Sequence, residues 1–272
     1  MFKSVLRLCV ITFTLYGIVY PFLINPPKKT EQVAEEDIVI NKTVKVIEEK
    51  PLHTVKLPDF LAIKDIKLKK KTFFNFIKPH VKAVNKQILQ QRAQLEIALM
   101  MLQFDDNLAD KQLNQVIAIF KQYKVKHKVD VEGISLALER VDIVPRELAL
   151  MQAANESAWG TSRFAKIGLN FFGQWCYRKG CGMVPKNRNS GAGHEVAAYQ
   201  TVRAAVNAYF YNINTNRAYR SLRKIRAHQR KIQQTPTAEG LAQGLLAYSE
   251  RGEAYVNEIS HMIRLNQEYF SE

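Results

Sequence analysis

The sequence predicts a mostly α chain with one small β-hairpin lobe, preceded by an N-terminal membrane helix and a linker. Three observations lead there. Apolar residues recur at helical steps over much of the chain beyond Phe76. Gly168, Gly173, Gly180, Gly182, Gly191 and Gly193, half of the 12 glycines, crowd into one stretch. The N-terminus carries an uncharged run, Leu8 to Ile24, behind Lys3 and Arg7.

That run of about seventeen residues is near the lower limit for a spanning helix. No small-x-small cleavage site follows, only Asn25-Pro26-Pro27. Residues 1–24 therefore read as a signal anchor with Lys3 and Arg7 on the cytoplasmic side; a cleaved signal peptide is the second reading. Both export the rest of the chain. Cys9, inside the run, has no assigned role. Residues 25–72 are rich in Lys, Glu, Val and Pro with little amphipathic period, and read as a disordered linker. Within it, Lys64 to Lys71 sets five lysines against Asp65, a solvated basic stretch or an attraction to anionic wall or lipid.

Residues 73–128 form a helical extension. One helix starts near Phe76 with Pro79 in its first turn, and carries Val81, Val84, Ile88, Leu95, Leu99 and Leu102 as its stripe. A second spans about Leu108 to Tyr123, with Leu113, Val116, Ile117 and Phe120 inward. The main domain, 129–272, opens with a helix over about Val131 to Val141. Pro145 then starts a helix that ends at Glu156. The glycine-rich stretch holds short aromatic or β-branched runs, Asn170-Phe171-Phe172 with Trp175 and Val196 to Tyr199, which predict an irregular β-hairpin. Four helices complete the chain, at about 202–214, 217–232, 236–249 and 253–268.

The 272 residues carry a net charge of +15, from 40 basic and 25 acidic side chains, which favours a polyanionic partner. Arg217 to Lys231 contains seven basic residues and no acid. An exported, tethered domain does not meet nucleic acid, so no nucleic-acid partner is expected. Attraction to acidic wall groups is preferred to a merely solvated face. Export also puts Cys176 and Cys181 in an oxidising compartment, where Cys-Tyr-Arg-Lys-Gly-Cys closes a small disulfide loop; two unpaired thiols are the alternative. Zinc is not expected, because these cysteines and His194 do not complete a four-ligand site.

The candidate chemistry centres on Glu156. The tract Ala149 to Ala154 before it is apolar apart from Gln152, and Trp159 follows. A carboxyl so placed is partly desolvated, which raises its pKa and keeps it protonated near neutrality. A protonated carboxyl is what a glycosidic leaving oxygen needs. Ser157, Trp159 and Gly160 add a hydroxyl, a sugar-stacking surface and a turn. On these residues alone, a helix-end glutamate capping the next helix is an equal reading.

The blocks around Glu156 carry more. Gln152-Ala153-Ala154-Asn155-Glu156-Ser157-Ala158-Trp159-Gly160 is followed by Asn170-Phe171-Phe172-Gly173-Gln174-Trp175-Cys176, Gly191 to Val196, Asn214 to Tyr219 and Leu246 to Gly252. In this order they resemble the peptidoglycan N-acetylglucosaminidase family, with its Ala-rich helix, Glu-Ser-x-Trp-Gly step and Asn-[Leu or Phe]-Phe-Gly strand. The resemblance covers roughly residues 129–272. It implies a lysozyme-like α+β domain whose β lobe faces the catalytic helix. It implies hydrolysis of the β-1,4 bond between N-acetylglucosamine and N-acetylmuramic acid. It implies Glu156 as general acid, Glu195 on the hairpin as the second acidic residue, and Tyr219, in an Asn216-x-x-Tyr219 context, as the family's tyrosine. Trp159, Phe172, Trp175 and Tyr199 are the stacking candidates; Ser157, Asn170, Gln174 and Asn216 are the polar substrate contacts, and Phe171 points to the core. Such a route needs no cofactor. Its partners are peptidoglycan glycan strands and the inner membrane, with the domain in the periplasm. Two rivals remain: a non-hydrolytic peptidoglycan-binding scaffold, and a lytic transglycosylase.

Overall fold

A computed structural model describes residues 49–104, 106–185 and 193–270. The expected anchor at residues 1–24 and the linker as far as residue 48 lie outside the described residues. Among the described residues no helix is long and apolar enough to cross a membrane.

The described residues belong to one compact unit, Glu48–Glu272. Its elements are α1 (Ile66–Gln103), α2 (Asp110–Gln122), α3 (Val131–Arg140), α4 (Arg146–Glu156), α5 (Arg163–Gly168), β1 (Trp175–Cys176), β2 (Gly182–Met183), β3 (Glu195–Ala197), α6 (Val202–Thr215), α7 (Arg220–Lys231), α8 (Ala238–Ala242) and α9 (Glu253–Leu265). Short 3-10 turns cover Arg217–Tyr219 and Gln267–Tyr269. The protein is mostly helical, with a small antiparallel sheet.

Helix α1 is the long member, 38 residues. It starts well before the position expected from Pro79, because the Asp65 side chain caps it by accepting from the Leu68 amide at 2.7 Å. Pro79 therefore sits inside the helix. An interior proline costs about 3 kcal/mol. Phe73, Phe74 and Ile77 upstream are all fully buried, and each such side chain contributes roughly 1.5–3 kcal/mol, enough to carry the helix through. The stripe then runs through Val81, Val84, Ile88 and Leu95 onto α3, α4 and α6.

The linker expected to reach residue 72 ends earlier. Residues from Glu49 lie on the domain: the Leu52 amide donates to the Ile167 carbonyl at 2.8 Å, and Phe60 packs edge-on against Phe73 and Phe76. The lysine run belongs mostly to the first turns of α1, where the Lys70 ammonium lies over the Trp159 ring.

Helix α4 is the centre of the fold. Leu148 to Ala154 are all buried, packed by α1 on one side and by α8 and α9 on the other. The β lobe is not the expected hairpin. Strand β3 runs between β1 and β2 and pairs antiparallel with both, Trp175 opposite Val196 on one side and Met183 opposite Val196 on the other. Cys176 and Cys181 form a disulfide across the loop between β1 and β2.

Three arginines of the basic run of α7 are spent internally. Arg226, fully buried, donates to the carbonyls of Asp142, Ile143, Glu139 and Arg140. Arg230 makes a two-pronged pair with the Asp142 carboxylate at 2.8 and 2.9 Å, and Arg223 donates to the carbonyls of Ile213 and Asn216. Arg92 of α1 reaches Asp142 at 3.3 Å. Asp142 thus joins α1 to α7.

Candidate active site

Glu156 is the last residue of α4, and the turn after it is unusual. Ala158, Trp159 and Gly160 are three successive residues in the left-handed region, φ +49°, +57° and +79°. Ser157 locks them: its hydroxyl donates to the Ala153 carbonyl at 2.6 Å and accepts from the Gly160 amide at 2.9 Å. Gly160 is required twice, since its φ suits glycine and a Cβ there would lie 2.5 Å from the Phe60 ring. Trp159 packs on Phe73 and Phe74 with Lys70 over its face. Ser157 and Trp159, expected as sugar contacts, have other work: Ser157 locks the turn after α4, and Trp159 packs that turn onto α1.

Glu156 opens into a cleft of about 830 Å³. Its walls include Phe172, Gly173, Gln174 and Trp175 from the lobe side, Tyr199, Tyr211 and Asn212, the turn from Asn216 to Tyr219, and Tyr248. Of the expected site residues, Glu156, Phe172, Gln174, Trp175, Tyr199, Asn216 and Tyr219 are brought together here. Trp175 is 49% exposed and stands edge-on to His194. Phe172 stacks on Tyr209 at 4.2 Å. Gly173, at φ +63°, presses its backbone to the acid: a Cβ would lie 3.0 Å from Glu156 Oε2.

Asn170 and Glu195 do not line the cleft. Asn170 is buried and donates to the Gln174 and Ala197 carbonyls while accepting from the Phe172 and Gln174 amides, so it shapes the Phe172–Gly173 turn. Glu195 is also buried, and its two carboxylate oxygens accept from the Gly180 and Gly182 amides at 2.9 Å each. It holds the disulfide-closed loop onto β3. The sulfurs of that disulfide lie close to this carboxylate; being bonded to each other, they are not available as thiolate ligands.

Burial raises the Glu156 pKa; a hydrogen bond from Tyr255 opposes that, Glu258 adds to it and Arg251 opposes it. Behind Glu156 runs a buried chain that sequence reading missed. The Tyr209 hydroxyl donates to Gln152 Oε1 at 2.5 Å, and Gln152 Nε2 donates to the Tyr255 hydroxyl at 3.0 Å. Tyr255 in turn hydrogen-bonds Glu156. Its one signal was Gln152, the lone polar side chain in the apolar tract of α4. Tyr248, stacked on Tyr255 and donating to the Phe172 carbonyl at 2.7 Å, ties the cleft wall to this chain. Tyr219 is pushed up to about 12 by burial, against a hydrogen bond with Asn212 and with help from Glu156, so it stays a neutral donor.

The fold and site define a class: a helical domain with a largely buried carboxyl, its pKa raised, facing a ring-walled cleft of sugar size. Residues 132–268 match the glucosaminidase family, described as mannosyl-glycoprotein endo-beta-N-acetylglucosaminidase, and the chain belongs to that family. Membership points to a glycoside hydrolase acting on peptidoglycan glycan. The chain is 33% identical to Protein bax of Escherichia coli (strain K12) over 213 residues, 78% of this chain and 74% of the relative. No solved structure matches it.

Proposed function

We propose that the protein hydrolyses the β-1,4 bond between N-acetylglucosamine and N-acetylmuramic acid, with Glu156 as general acid. The observation that carries this is the cleft-facing Glu156 carboxyl, whose pKa burial raises, with Gly173 leaving room beside it.

In the first step Glu156 gives its proton to the leaving oxygen as the bond from the anomeric carbon to that oxygen breaks. The opposite face of the sugar needs a nucleophile or base. Glu195 is poorly suited, with both carboxylate oxygens occupied by loop amides. We assign the nucleophile to the substrate's own 2-acetamido oxygen, which bonds to the anomeric carbon. Tyr219, a neutral donor on the cleft wall, orients that group. Water then attacks the same carbon, the oxygen of the ring so formed leaves, and the Glu156 carboxylate takes the water's proton. Configuration is retained.

The disulfide and the uncharged N-terminal run support work on the exported side of the membrane. The test is to incubate the full chain with purified sacculi and read the products by mass spectrometry. Reducing N-acetylglucosamine ends are expected. Anhydro-muramic ends would transfer the protein to the lytic transglycosylases. Equal release by Glu156→Gln would remove Glu156 from catalysis; no release by the parent would leave a glycan-binding protein.

A further inference from the structure

The cleft carries two cations that hydrolysis does not use. Lys124 and Arg217 both line it, and Glu156 is the only acid among the described lining residues. Neither cation makes an ion pair with a described residue. The Lys124 ammonium lies 5.2 Å above the Tyr211 ring. Tyr211 sits one turn before Thr215, where α6 ends, and Arg217 follows two residues later. Both cations thus line the cleft near the C-terminal end of α6.

Lys124 is held there at a conformational cost. It follows α2 in a left-handed conformation, φ +56°. The Val125 amide donates to the Phe120 carbonyl and the Lys124 amide to the Lys121 carbonyl, the pattern in which a helix is normally closed by glycine. Arg140 clamps the position by donating to the carbonyls of Tyr123 and Lys124. A lysine kept where glycine is cheaper points to use of its side chain. The residue also lies outside the stretch 132–268 that matches the family, so the N-terminal helical extension furnishes this part of the wall.

We propose that Lys124 and Arg217 form a subsite for a carboxylate carried by the glycan, so that the cleft selects acidic peptidoglycan strands over neutral N-acetylglucosamine polymers. This rests on the glycan-cleft reading above. The carboxylate is either that of the lactyl ether on the muramic sugar or one on the stem peptide.

The test measures binding in the Glu156→Gln background, so that nothing turns over. The probes are peptide-bearing glycan strands, strands stripped of peptide by amidase, and chitohexaose as the neutral ligand. At low salt at least one charged strand should bind about tenfold tighter than chitohexaose, and the ratio should fall as salt rises. Adding Lys124→Gly, which relieves the backbone while deleting the cation, together with Arg217→Gln should bring the ratio close to one. Lys224→Gln, an exposed charge away from the cleft, should leave it unchanged. Preference for peptide-bearing strands alone assigns the stem-peptide carboxylates; preference for stripped strands alone assigns the lactyl carboxylate, which the peptide bond masks until amidase frees it; equal preference for both over chitohexaose assigns a subsite that takes either carboxylate. A ratio near one in the parent, or one that the double variant leaves intact, overturns the subsite. Because binding is the readout, a parent chain that never cleaves sacculi would sink the hydrolase reading and leave this result standing.

Discussion

At the residue scale, the chemistry turns on how firmly Glu156 holds its proton. Its pKa is raised above the ordinary 4.5. The fold therefore favours the protonated form, and that contribution to stability is full below the ordinary value and lost as pH rises through the raised one. Glu156→Gln should lower turnover about a thousandfold. It should also raise the melting temperature, by an amount that grows with pH and vanishes in acid; thermal melts across the pH range read this directly. Tyr255→Phe removes the hydroxyl that favours the ionised acid, so the alkaline limb of the kcat–pH profile should move to higher pH. An unmoved limb would show that the two groups are not coupled. Gln152 was visible in the sequence as a polar interruption, but its partners were not, because Tyr209 and Tyr255 come from helices far along the chain.

At the scale of elements, the instructive part is the lobe. Strands of two or three residues carry no readable alternation, so the glycine crowding showed that a lobe existed and not how its strands pair. Helix α5, six residues long, was missed for the same reason. Helix α4 was legible because Pro145 and an apolar tract mark its start and body. Glu195 shows the limit of a motif: the carboxylate is where the resemblance put it in sequence, yet its oxygens face loop amides. Glu195→Gln, which keeps one acceptor oxygen, should retain most of the turnover on sacculi while lowering thermal stability by about 1–3 kcal/mol. A loss of a hundredfold or more in kcat with the fold intact would restore a chemical role. Gly173→Ala should abolish activity, since its methyl would crowd the acid from a backbone that disfavours it; circular dichroism should still report a folded helical protein.

At the scale of the whole molecule, the seam expected near residue 128 is not a packing boundary. Helix α1, from the extension, packs on α3, α4 and α6, and shares their core. The motifs stop where the resemblance stops, so they could not show that the extension completes the domain. The Asp142 hub links the two halves. Burial works against its charge, but the Arg230 hydrogen bonds, Arg226 and Arg92 together hold its pKa below 3.8. Its contribution is present above that value and lost as pH falls through the lowered one. Asp142→Ala strands the buried Arg226 and should cost about 3–5 kcal/mol. That corresponds to a melting temperature lower by roughly 10 °C at neutral pH in calorimetry.

The end of α4 has one more consequence. The peptide dipoles of a helix sum to about half a negative charge at its C-terminus. Glu156 is the final residue of that helix, and the Ser157-to-Gly160 turn stops it there. The acid therefore sits in a field that resists its ionisation, whatever the cleft contains. The turn that ends the helix is thus also part of what keeps the proton in place.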